Sequence, residues 1–162
     1  MKIFIFDLDD TIIKHDHNKD IDYDKIKPNS IINELLISCP CDKKYIFTNG
    51  TYDHAKIILT NMGIINNFDK IYSRDTLPLM KPESISFRYV ENDIKKINNY
   101  STEFEFIFFD DQTENLKMAH LFNWKTIFIH HKFNKFLNKP YIYYSYPNIY
   151  QAILSFNLKL IE

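Results

Sequence analysis

Cysteine is scarce in this sequence, which has only Cys39 and Cys41, on either side of Pro40. Two thiols so near each other along the chain are too close for an ordinary disulfide, and two thiols alone do not make a zinc site. We therefore expect both cysteines to be reduced structural thiols, as is usual in a cytosolic protein.

An excess of charge is also lacking, since 20 lysines and arginines nearly balance 21 aspartates and glutamates. The resulting net charge of −1 gives no general electrostatic reason to bind nucleic acid or a membrane surface. No apolar run approaches the roughly 20 residues of a membrane span, and the N-terminus does not have the pattern of a signal peptide. These absences predict a cytoplasmic protein for which nucleic acid is at most a substrate.

Apolar side chains, by contrast, are plentiful, at 45% hydrophobic and 16% aromatic residues, which excludes a disordered chain. The length of 162 residues suits one domain with a full core. No linker, repeat or low-complexity tract divides the sequence. We therefore predict a single domain over residues 1–162.

Short apolar segments alternate with amphipathic ones along the chain. The former predict strands at 2–6, 44–47, 69–73, 105–109 and 125–129. The latter predict helices opened by Pro28, capped by Thr51, opened by Lys81-Pro82, containing Leu116 and Ala119, and running from Ile149 to Leu160. This alternation predicts an α/β fold, in which a central parallel sheet of about five strands has helices on both faces. The tyrosine-rich segment 141–146 is either a further buried strand or a partner surface.

Polar residues follow three of the predicted strands at the point where each one ends. Asp7 and Asp9 follow the first strand, Thr48 follows the second, and Asp110-Asp111 follows the fourth. Ligands bind beyond the carboxyl ends of parallel strands, so we expect these residues to come together in the fold. A cluster of acids at a buried strand end costs stability unless a cation or a reaction requires it.

Four segments, Asp7-x-Asp9-x-Thr11, Thr48-Asn49-Gly50, Lys81-Pro82 and Asp110-Asp111, occur in this order. Together they strongly resemble the motifs of the haloacid dehalogenase superfamily, in particular its phosphatases. The resemblance covers roughly residues 2–129. The segments FTNG, HA, FFDD and WKTIFI look most like those of the pyrimidine 5′-nucleotidase-like branch. It implies a three-layer Rossmann-like fold and a Mg²⁺-dependent phosphomonoesterase that forms an aspartyl-phosphate.

The resemblance also implies how the acids work. Asp7 would be the nucleophile, and Asp9 would protonate the leaving alkoxide and then activate water. Mg²⁺ would be held by Asp7, the Asp9 backbone carbonyl and the Asp110-Asp111 pair, with Asp111 as the direct ligand and Asp110 acting through water or a hydrogen bond. An acid at position 9 favours a phosphatase or phosphomutase, because dehalogenases need no acid there.

The remaining motif residues are expected to handle the substrate's phosphate. Thr48 offers a hydroxyl, Asn49 lies among the backbone N–H groups at a helix start, and Lys81 supplies a positive charge for the phosphoryl oxygens. Thr11 is expected to shape the turn by hydrogen bonding without touching the substrate.

A cap domain is expected to be absent. Many relatives insert one between the first two motifs, but only 38 residues separate Asp9 from Thr48 here, and they must also supply a core helix and strand. What remains is the polar loop 12–27. It contains His15 and His17, whose spacing could hold a metal; without a third ligand of clear spacing we expect two solvated histidines.

Several functions stay open at this level. The substrate is a nucleotide or other small phosphate ester, or else a phosphoprotein or nucleic-acid end, since capless members of the superfamily often act on large substrates or close their site by oligomerising. A phosphomutase is disfavoured because it needs a closing cap to exclude water from the phospho-enzyme. A non-catalytic binding module would be expected to lose Asp7 or a metal ligand, and none is lost.

Overall fold

The computed structural model describes residues 1–99, 103–136 and 138–161, in which six strands form one parallel sheet in the order β3-β2-β1-β4-β5-β6. The strands are β1 (Lys2–Phe6), β2 (Lys43–Phe47), β3 (Lys70–Tyr72), β4 (Glu105–Asp110), β5 (Lys125–Ile129) and β6 (Tyr144–Tyr146). The helices are α1 (Ser30–Ile37), α2 (Tyr52–Asn61), α3 (Ser84–Ile97), α4 (Thr113–Leu121) and α5 (Ile149–Asn157). This confirms the α/β fold class.

The two faces of the sheet bury alternate residues of each strand, as the pleat requires. Phe4 and Phe6 of β1 pack with α1, α2 and α5, whereas Ile3 and Ile5 pack with α3 and α4. The Phe6 ring stacks on Phe109 of the neighbouring β4, with centroids 4.5 Å apart. Helices therefore cover both faces, and β1 lies inside three layers, which explains its continuous apolar sequence.

Besides the five strands located from apolar segments, the sheet contains β6, since Tyr144–Tyr146 pairs in parallel with β5. Of the two alternatives for segment 141–146, the further strand is therefore confirmed. Between β5 and β6, the residues that the structure describes form a loop and a short 3₁₀ helix, Phe133–Phe136, and no α-helix. The sequence between β5 and β6 therefore lacks the amphipathic helical pattern that usually indicates a crossover between parallel strands. The three residues of β6 are half-buried, so neither their burial nor their alternation gives a clear signal.

Two predicted helix starts and one helix end were wrong. Helix α1 begins at Ser30, because the Asn29 side chain accepts the Ile32 N–H at 3.1 Å and caps it, and Pro28 lies outside. Helix α3 begins at Ser84, so that Pro82 also lies before its helix, after a cis peptide bond to Lys81. Helix α5 ends at Asn157, and Leu160 is 70% exposed beyond it.

Other predicted boundaries are confirmed. The Thr51 side chain accepts the His54 N–H at 3.3 Å at the start of α2. Gly63 and Asn123 have φ angles of +72° and +61°, the left-handed conformation that stops α2 and α4. Cys39 and Cys41 are free thiols.

The stretches between the first, second and third motifs hold only core elements and loops. Residues 10–47 contain a 3₁₀ turn (Tyr23–Lys25), α1 and β2, while 49–80 contain α2, a second 3₁₀ turn (Ile65–Asn67) and β3. No cap domain is inserted in either stretch, as predicted. None of the described helices combines the length and apolarity needed to cross a membrane.

Candidate active site

The carboxyl ends of β1, β2 and β4 meet at one edge of the sheet. Phe6 pairs with Ile46 on one side and with Phe109 on the other, so the residues that follow these strands are neighbours. The Asp7 N–H continues the β1–β4 ladder, donating to the Phe109 carbonyl at 2.9 Å. The structure thus brings Asp7, Thr48 and Asp110 to one place, as the topology predicted.

The turn after β1 orients Asp7. Asp10 has a φ angle of +61°, and the N–H of Ile12 donates to the Leu8 carbonyl at 2.9 Å, which folds the chain back over the strand end. The Thr11 hydroxyl then donates to Asp7 Oδ2 at 3.1 Å. Thr11 therefore shapes the turn by hydrogen bonding and fixes one oxygen of the Asp7 carboxylate.

A buried lysine joins the acids of two strands. Lys81 Nζ donates to Asp7 Oδ1 and to Asp110 Oδ2, each at 2.8 Å, and its side chain is only 1% exposed. The ammonium also lies 5.1 and 5.2 Å from the ring centroids of Phe47 and Phe108. Burial works to lower the pKa of Lys81, but the charges of Asp110 and Asp7 outweigh it and raise the pKa. Lys81 therefore carries a fixed positive charge inside the cluster.

The segment that carries Lys81 is held by Asn49. The Asn49 side chain donates to the Lys81 carbonyl at 2.9 Å and accepts the Lys81 N–H at 2.8 Å. The Thr48 hydroxyl accepts the Gly50 N–H at 2.9 Å. Both side chains are thus engaged with the protein, and Asn49 positions Lys81. Their contact with a substrate phosphate remains a prediction.

Asp110 is enclosed by donors, whereas its neighbour Asp111 is not. Asp110 Oδ1 accepts the Gln112 N–H at 2.8 Å, and the Asn115 amide donates to both Asp110 oxygens, at 3.1 and 2.9 Å. Asp111 has a buried Oδ1 with no hydrogen-bond partner. The predicted division of roles, with Asp111 as direct ligand and Asp110 braced by hydrogen bonds, fits this arrangement and remains a prediction.

The carboxylates of Asp7, Asp110 and Asp111 each have an oxygen within 4.8 Å of the others. Burial raises the pKa of Asp7 to about 7, and the charges of Asp110 and Asp111 add to this effect while Lys81 opposes it. Burial and the charge of Asp110 likewise raise the pKa of Asp111 to about 6. Three carboxylates lie around the buried Lys81 ammonium, so this acidic cluster has the charge and the hard oxygen donors to bind a divalent metal ion.

Asp9 lies in a different environment, beside two histidines. Asp9 Oδ1 is 2.5 Å from His15 Nε2 and 2.8 Å from His54 Nε2, and the Tyr23 hydroxyl is 2.8 Å from His54 Nδ1. Burial by itself would raise the pKa of Asp9, but the hydrogen bonds and charges of His54 and His15 outweigh it and lower the pKa. We call Asp9, His15 and His54 the histidine cluster.

The expectation of two solvated histidines was wrong for His15, whose side chain contacts Asp9 and is only 13% exposed. It was right for His17, whose side chain is 74% exposed and pairs with Asp10 at 2.7 Å. The loop from 12 to 27 folds back over the strand end, which no spacing along the chain indicates. The spacing of His15 and His17 along the chain did not indicate a third metal-binding side chain. In the structure, His54 on the first turn of α2 joins His15 at Asp9.

Gly50 makes room for the histidine cluster. A Cβ at this position would lie 2.7 Å from the His54 Cδ2 and 3.3 Å from the Thr48 hydroxyl. The first distance is well inside van der Waals contact and the second is tight. One of the two glycines in the chain is therefore placed where a ring packs directly on the backbone.

No family model matches the sequence, and no curated protein matches it. Solved structures do match. An uncharacterised protein from Listeria monocytogenes serotype 4b has a TM-score of 0.63 at 19% identity, and the match covers 99% of this chain and 100% of that one. L-2-haloacid dehalogenase from Xanthobacter autotrophicus, with chloropropionic acid covalently bound, has a TM-score of 0.60 at 16% identity. The HAD-hydrolase YfnB from Bacillus subtilis, bound to magnesium, has a TM-score of 0.60 at 21% identity.

The chain has the haloacid dehalogenase-like fold. The match covers 82% of this chain and 62% of the Xanthobacter dehalogenase, and 79% of this chain and 54% of YfnB. The match thus covers between half and two thirds of the length of these two proteins. At such low identities the likeness establishes the fold and leaves the reaction to be argued from the site.

Besides His54, sequence reasoning missed two further residues of the candidate site. Asn115 lies on the buried side of α4 near Leu116 and Ala119, and an asparagine at such a position is itself a signal, because a buried amide needs a partner. Tyr23 lies in a polar loop, where one tyrosine among charged residues carries no local signal. Its partner His54 is 31 positions away, so only the folded chain reveals the contact.

Proposed function

We propose that this chain is a Mg²⁺-dependent phosphomonoesterase that acts through an aspartyl-phosphate on Asp7. The observation that carries the proposal is the acidic cluster, in which Lys81 Nζ lies 2.8 Å from both Asp7 and Asp110 while Asp111 keeps a buried oxygen without a partner. An anionic nucleophile beside one buried ammonium, with room for a cation, suits attack on a phosphate that itself carries about two negative charges.

The donors of the acidic cluster fit magnesium. Every ligand atom offered is an oxygen, as Mg²⁺ prefers, and the orphaned Asp111 Oδ1 would gain a partner on binding. The residues that would hold the ion are Asp7, Asp110, Asp111 and the backbone carbonyl of Asp9. When bound, it would screen the negative charges of nucleophile and substrate from one another.

The side chains of the acidic cluster then divide the work. Thr11 and Lys81 each hold one oxygen of Asp7 and so orient the carboxylate for attack on phosphorus. As the phosphorus–oxygen ester bond breaks, the alkoxide leaves with a proton from Asp9, while the Lys81 ammonium stabilises the phosphoryl oxygens. Water then attacks the aspartyl-phosphate, Asp9 takes its proton, and phosphate leaves with Asp7 restored.

Asp9 also supports a phosphatase over a dehalogenase. An acid at this position has no task in a dehalogenase but is needed to protonate an alkoxide, so it favours the phosphatase. A cavity of about 540 Å³ lies directly beside Asp9 and is bordered by Tyr23, His54 and Arg74. We propose that the leaving group of the ester occupies this cavity, with the loop 12–27 forming the wall that a cap would otherwise provide.

The proposal is tested first by hydrolysis of a generic aryl phosphate, followed by phosphorylated metabolites, phosphopeptides and end-phosphorylated oligonucleotides. Activity should require Mg²⁺, be lost in EDTA and be poorly supported by Ca²⁺, which prefers more ligands at longer distances. Asp7→Asn should abolish it, whereas Asp20→Asn, a change at an exposed aspartate, should not. Hydrolysis near the parent rate by Asp7→Asn would refute the covalent route.

A sharper test separates the two chemical steps. With nitrophenyl phosphate, Asp9→Asn should retain part of the first step, because this leaving group needs little protonation. Breakdown of the aspartyl-phosphate should slow by about 10²–10⁴-fold, because it needs a base. The variant should release a burst of close to one equivalent and gain about 80 Da, the mass of a phosphoryl group on Asp7. Normal turnover without a burst or adduct would reduce Asp9 to a turn residue.

A further inference from the structure

The histidine cluster converges from three separate parts of the chain. Asp9 follows β1, His15 comes from the polar loop, and His54 from the first turn of α2. One ligand atom from each, two imidazole nitrogens and a carboxylate oxygen, lies within 4.8 Å of the others. The cluster differs in kind from the acidic cluster, whose donors are all oxygens.

Two nitrogens and one oxygen form a donor set that zinc sites use and that magnesium does not favour. Tetrahedral zinc at bonds of about 2.0–2.2 Å spaces its ligand atoms by roughly 3.4 Å. The His15 and His54 nitrogens lie 2.5 and 2.8 Å from Asp9 Oδ1, so each has to move back by less than about 1 Å. His15 lies on a loop whose neighbouring residues are largely exposed, where such a movement meets little resistance.

Tyr23 supports a zinc site through its contact with the ring nitrogen of His54 that does not face Asp9. Its hydroxyl is 2.8 Å from His54 Nδ1 and can either donate to that nitrogen or accept from it. When it accepts, the ring proton lies on Nδ1 and the Nε2 lone pair is free for a metal, the arrangement in which outer hydrogen bonds orient metal-binding histidines. The cavity beside Asp9 leaves space for a fourth ligand, such as water.

We propose that Asp9, His15 and His54 form a second cation site, which takes a zinc-type transition-metal ion and thereby inhibits the enzyme. The binding claim rests on the geometry of the histidine cluster alone. The inhibition rests on the proposed function, because an Asp9 carboxylate engaged by zinc can neither protonate the leaving alkoxide nor accept a proton from water.

Binding is tested by titrating Zn²⁺ into the protein against a chromophoric chelator, with excess Mg²⁺ present to occupy the acidic cluster. The parent should bind one Zn²⁺ at this site, and His54→Gln and His15→Gln should each weaken binding more than about 100-fold. Tyr23→Phe should weaken it about tenfold or more, the effect of losing an outer hydrogen bond. His17→Gln, at the exposed histidine two positions from His15, is the matched control and should bind like the parent. Thermal denaturation of each variant checks that it is folded.

Asp7→Asn separates the two cation sites, because it removes a donor of the acidic cluster and should leave zinc affinity unchanged. Zinc affinity that is equal in the parent, His15→Gln and His54→Gln would overturn the site, as would affinity lost in Asp7→Asn alone. This titration needs no catalytic activity, so it gives its answer even if the protein hydrolyses no phosphate ester and the proposed function fails.

The inhibition is tested by hydrolysis of the aryl phosphate at saturating Mg²⁺. Zn²⁺ should inhibit the parent and His17→Gln with the midpoint found by titration, and whatever activity His54→Gln retains should resist the same concentration. Zinc that binds at the histidine cluster but leaves the hydrolysis rate unchanged would refute the inhibitory role.

Discussion

Asp7 and Asp9 are two residues apart, yet their surroundings drive their pKa values in opposite directions. Asp7 is buried among Lys81, Asp110 and Asp111, and its pKa is raised to about 7. Asp9 is half-exposed between two histidines, and its pKa is lowered. The proposed reaction assigns them different tasks, a nucleophile and an acid–base group. A cation bound by the acidic cluster would lower the pKa of Asp7 and so ionise the nucleophile. The lowered pKa of Asp9 suits its task as the base that activates water more than its task as the acid.

The difference arises from what holds each residue. The surroundings of Asp7 come from the ends of β1 and β4 and from a lysine fixed by Asn49. The surroundings of Asp9 come from a polar loop and from the first turn of α2. The sheet thus fixes the surroundings of Asp7, and segments outside the sheet set the surroundings of Asp9. The following predictions probe this contrast.

Lys81→Met should have the largest effect, because it leaves the Asp7 and Asp110 carboxylates buried without their cation. Breaking a buried ion pair by removing one partner costs about 3–5 kcal/mol of unfolding free energy. Urea denaturation in EDTA at pH 8 should show this loss, together with loss of hydrolysis in Mg²⁺. In Lys70→Met the ion pair to Asp93 is partly exposed, so about 1 kcal/mol or less is expected. Equal losses in both variants would show that Lys81 is not central to the acidic cluster.

The pH dependence of metal-free stability should follow Asp7. Its pKa is about 7 in the folded protein against its usual 3.8, so the folded state holds this proton more tightly than the unfolded state does. The contribution of Asp7 to the free energy of unfolding is therefore most favourable below about pH 4, and it is lost as the pH rises through 7. Asp7→Asn should not show that loss, so at pH 8 its free energy of unfolding should exceed that of the parent, by at most about 4 kcal/mol. Urea denaturation in EDTA at pH 4, 6 and 8 measures the free energy of unfolding of both proteins. If it changed with pH by the same amount in the parent and in Asp7→Asn, the raised pKa of Asp7 would be contradicted.

Asn115→Ala should have a smaller effect, because Asp110 keeps Lys81 and the Gln112 N–H. A hydrogen bond to a charged group is worth about 1.5–3 kcal/mol, and we expect a loss in this range. The control is Asn67→Ala, which removes an amide that donates to two neutral acceptors, the Asn33 side chain at 2.8 Å and the Ile64 carbonyl at 3.2 Å. A hydrogen bond between neutral groups is worth about 0.5–1.5 kcal/mol, so each bond lost should cost less than one to a carboxylate. A loss for Asn115→Ala no greater than the control's would show that Asp110 does not depend on this amide.

His54→Gln should change stability least, by less than about 1 kcal/mol, because Asp9 is partly exposed. It should instead raise the pKa of Asp9 toward its usual value, since His54 contributes most to lowering it. A lowered pKa stabilises the fold above the usual pKa of 3.8 and loses that effect as the pH falls through the folded-state pKa. The small loss of unfolding free energy should therefore be present at pH 7 and should shrink as the pH falls below 3.8. Carboxyl NMR titration measures the shift, with His120→Gln as an exposed control. An unchanged Asp9 titration would contradict the contact.

Much of the fold follows from the sequence, because strands buried on both faces must be continuously apolar and their ends must turn polar. That rule located five strands, placed Asp7, Thr48 and Asp110 at one edge, and excluded a cap between the motifs. For segment 141–146 it left a strand and a partner surface open, because the half-buried tyrosines carry no clear period, and the structure shows the strand β6. The rule that proline opens a helix was wrong at α1 and α3, where proline precedes the first helical residue by two positions.

The sequence by itself determined which acids end the strands, because backbone adjacency and the pleat act over a few residues. Only the tertiary structure decided what surrounds them. Asn115, His54 and Tyr23 reach the site from a helix face, a helix start and a loop, and the partners they contact are 5, 45 and 31 positions away, respectively. The environment that separates Asp7 from Asp9 is built from such contacts, and a pattern of neighbouring residues cannot contain them.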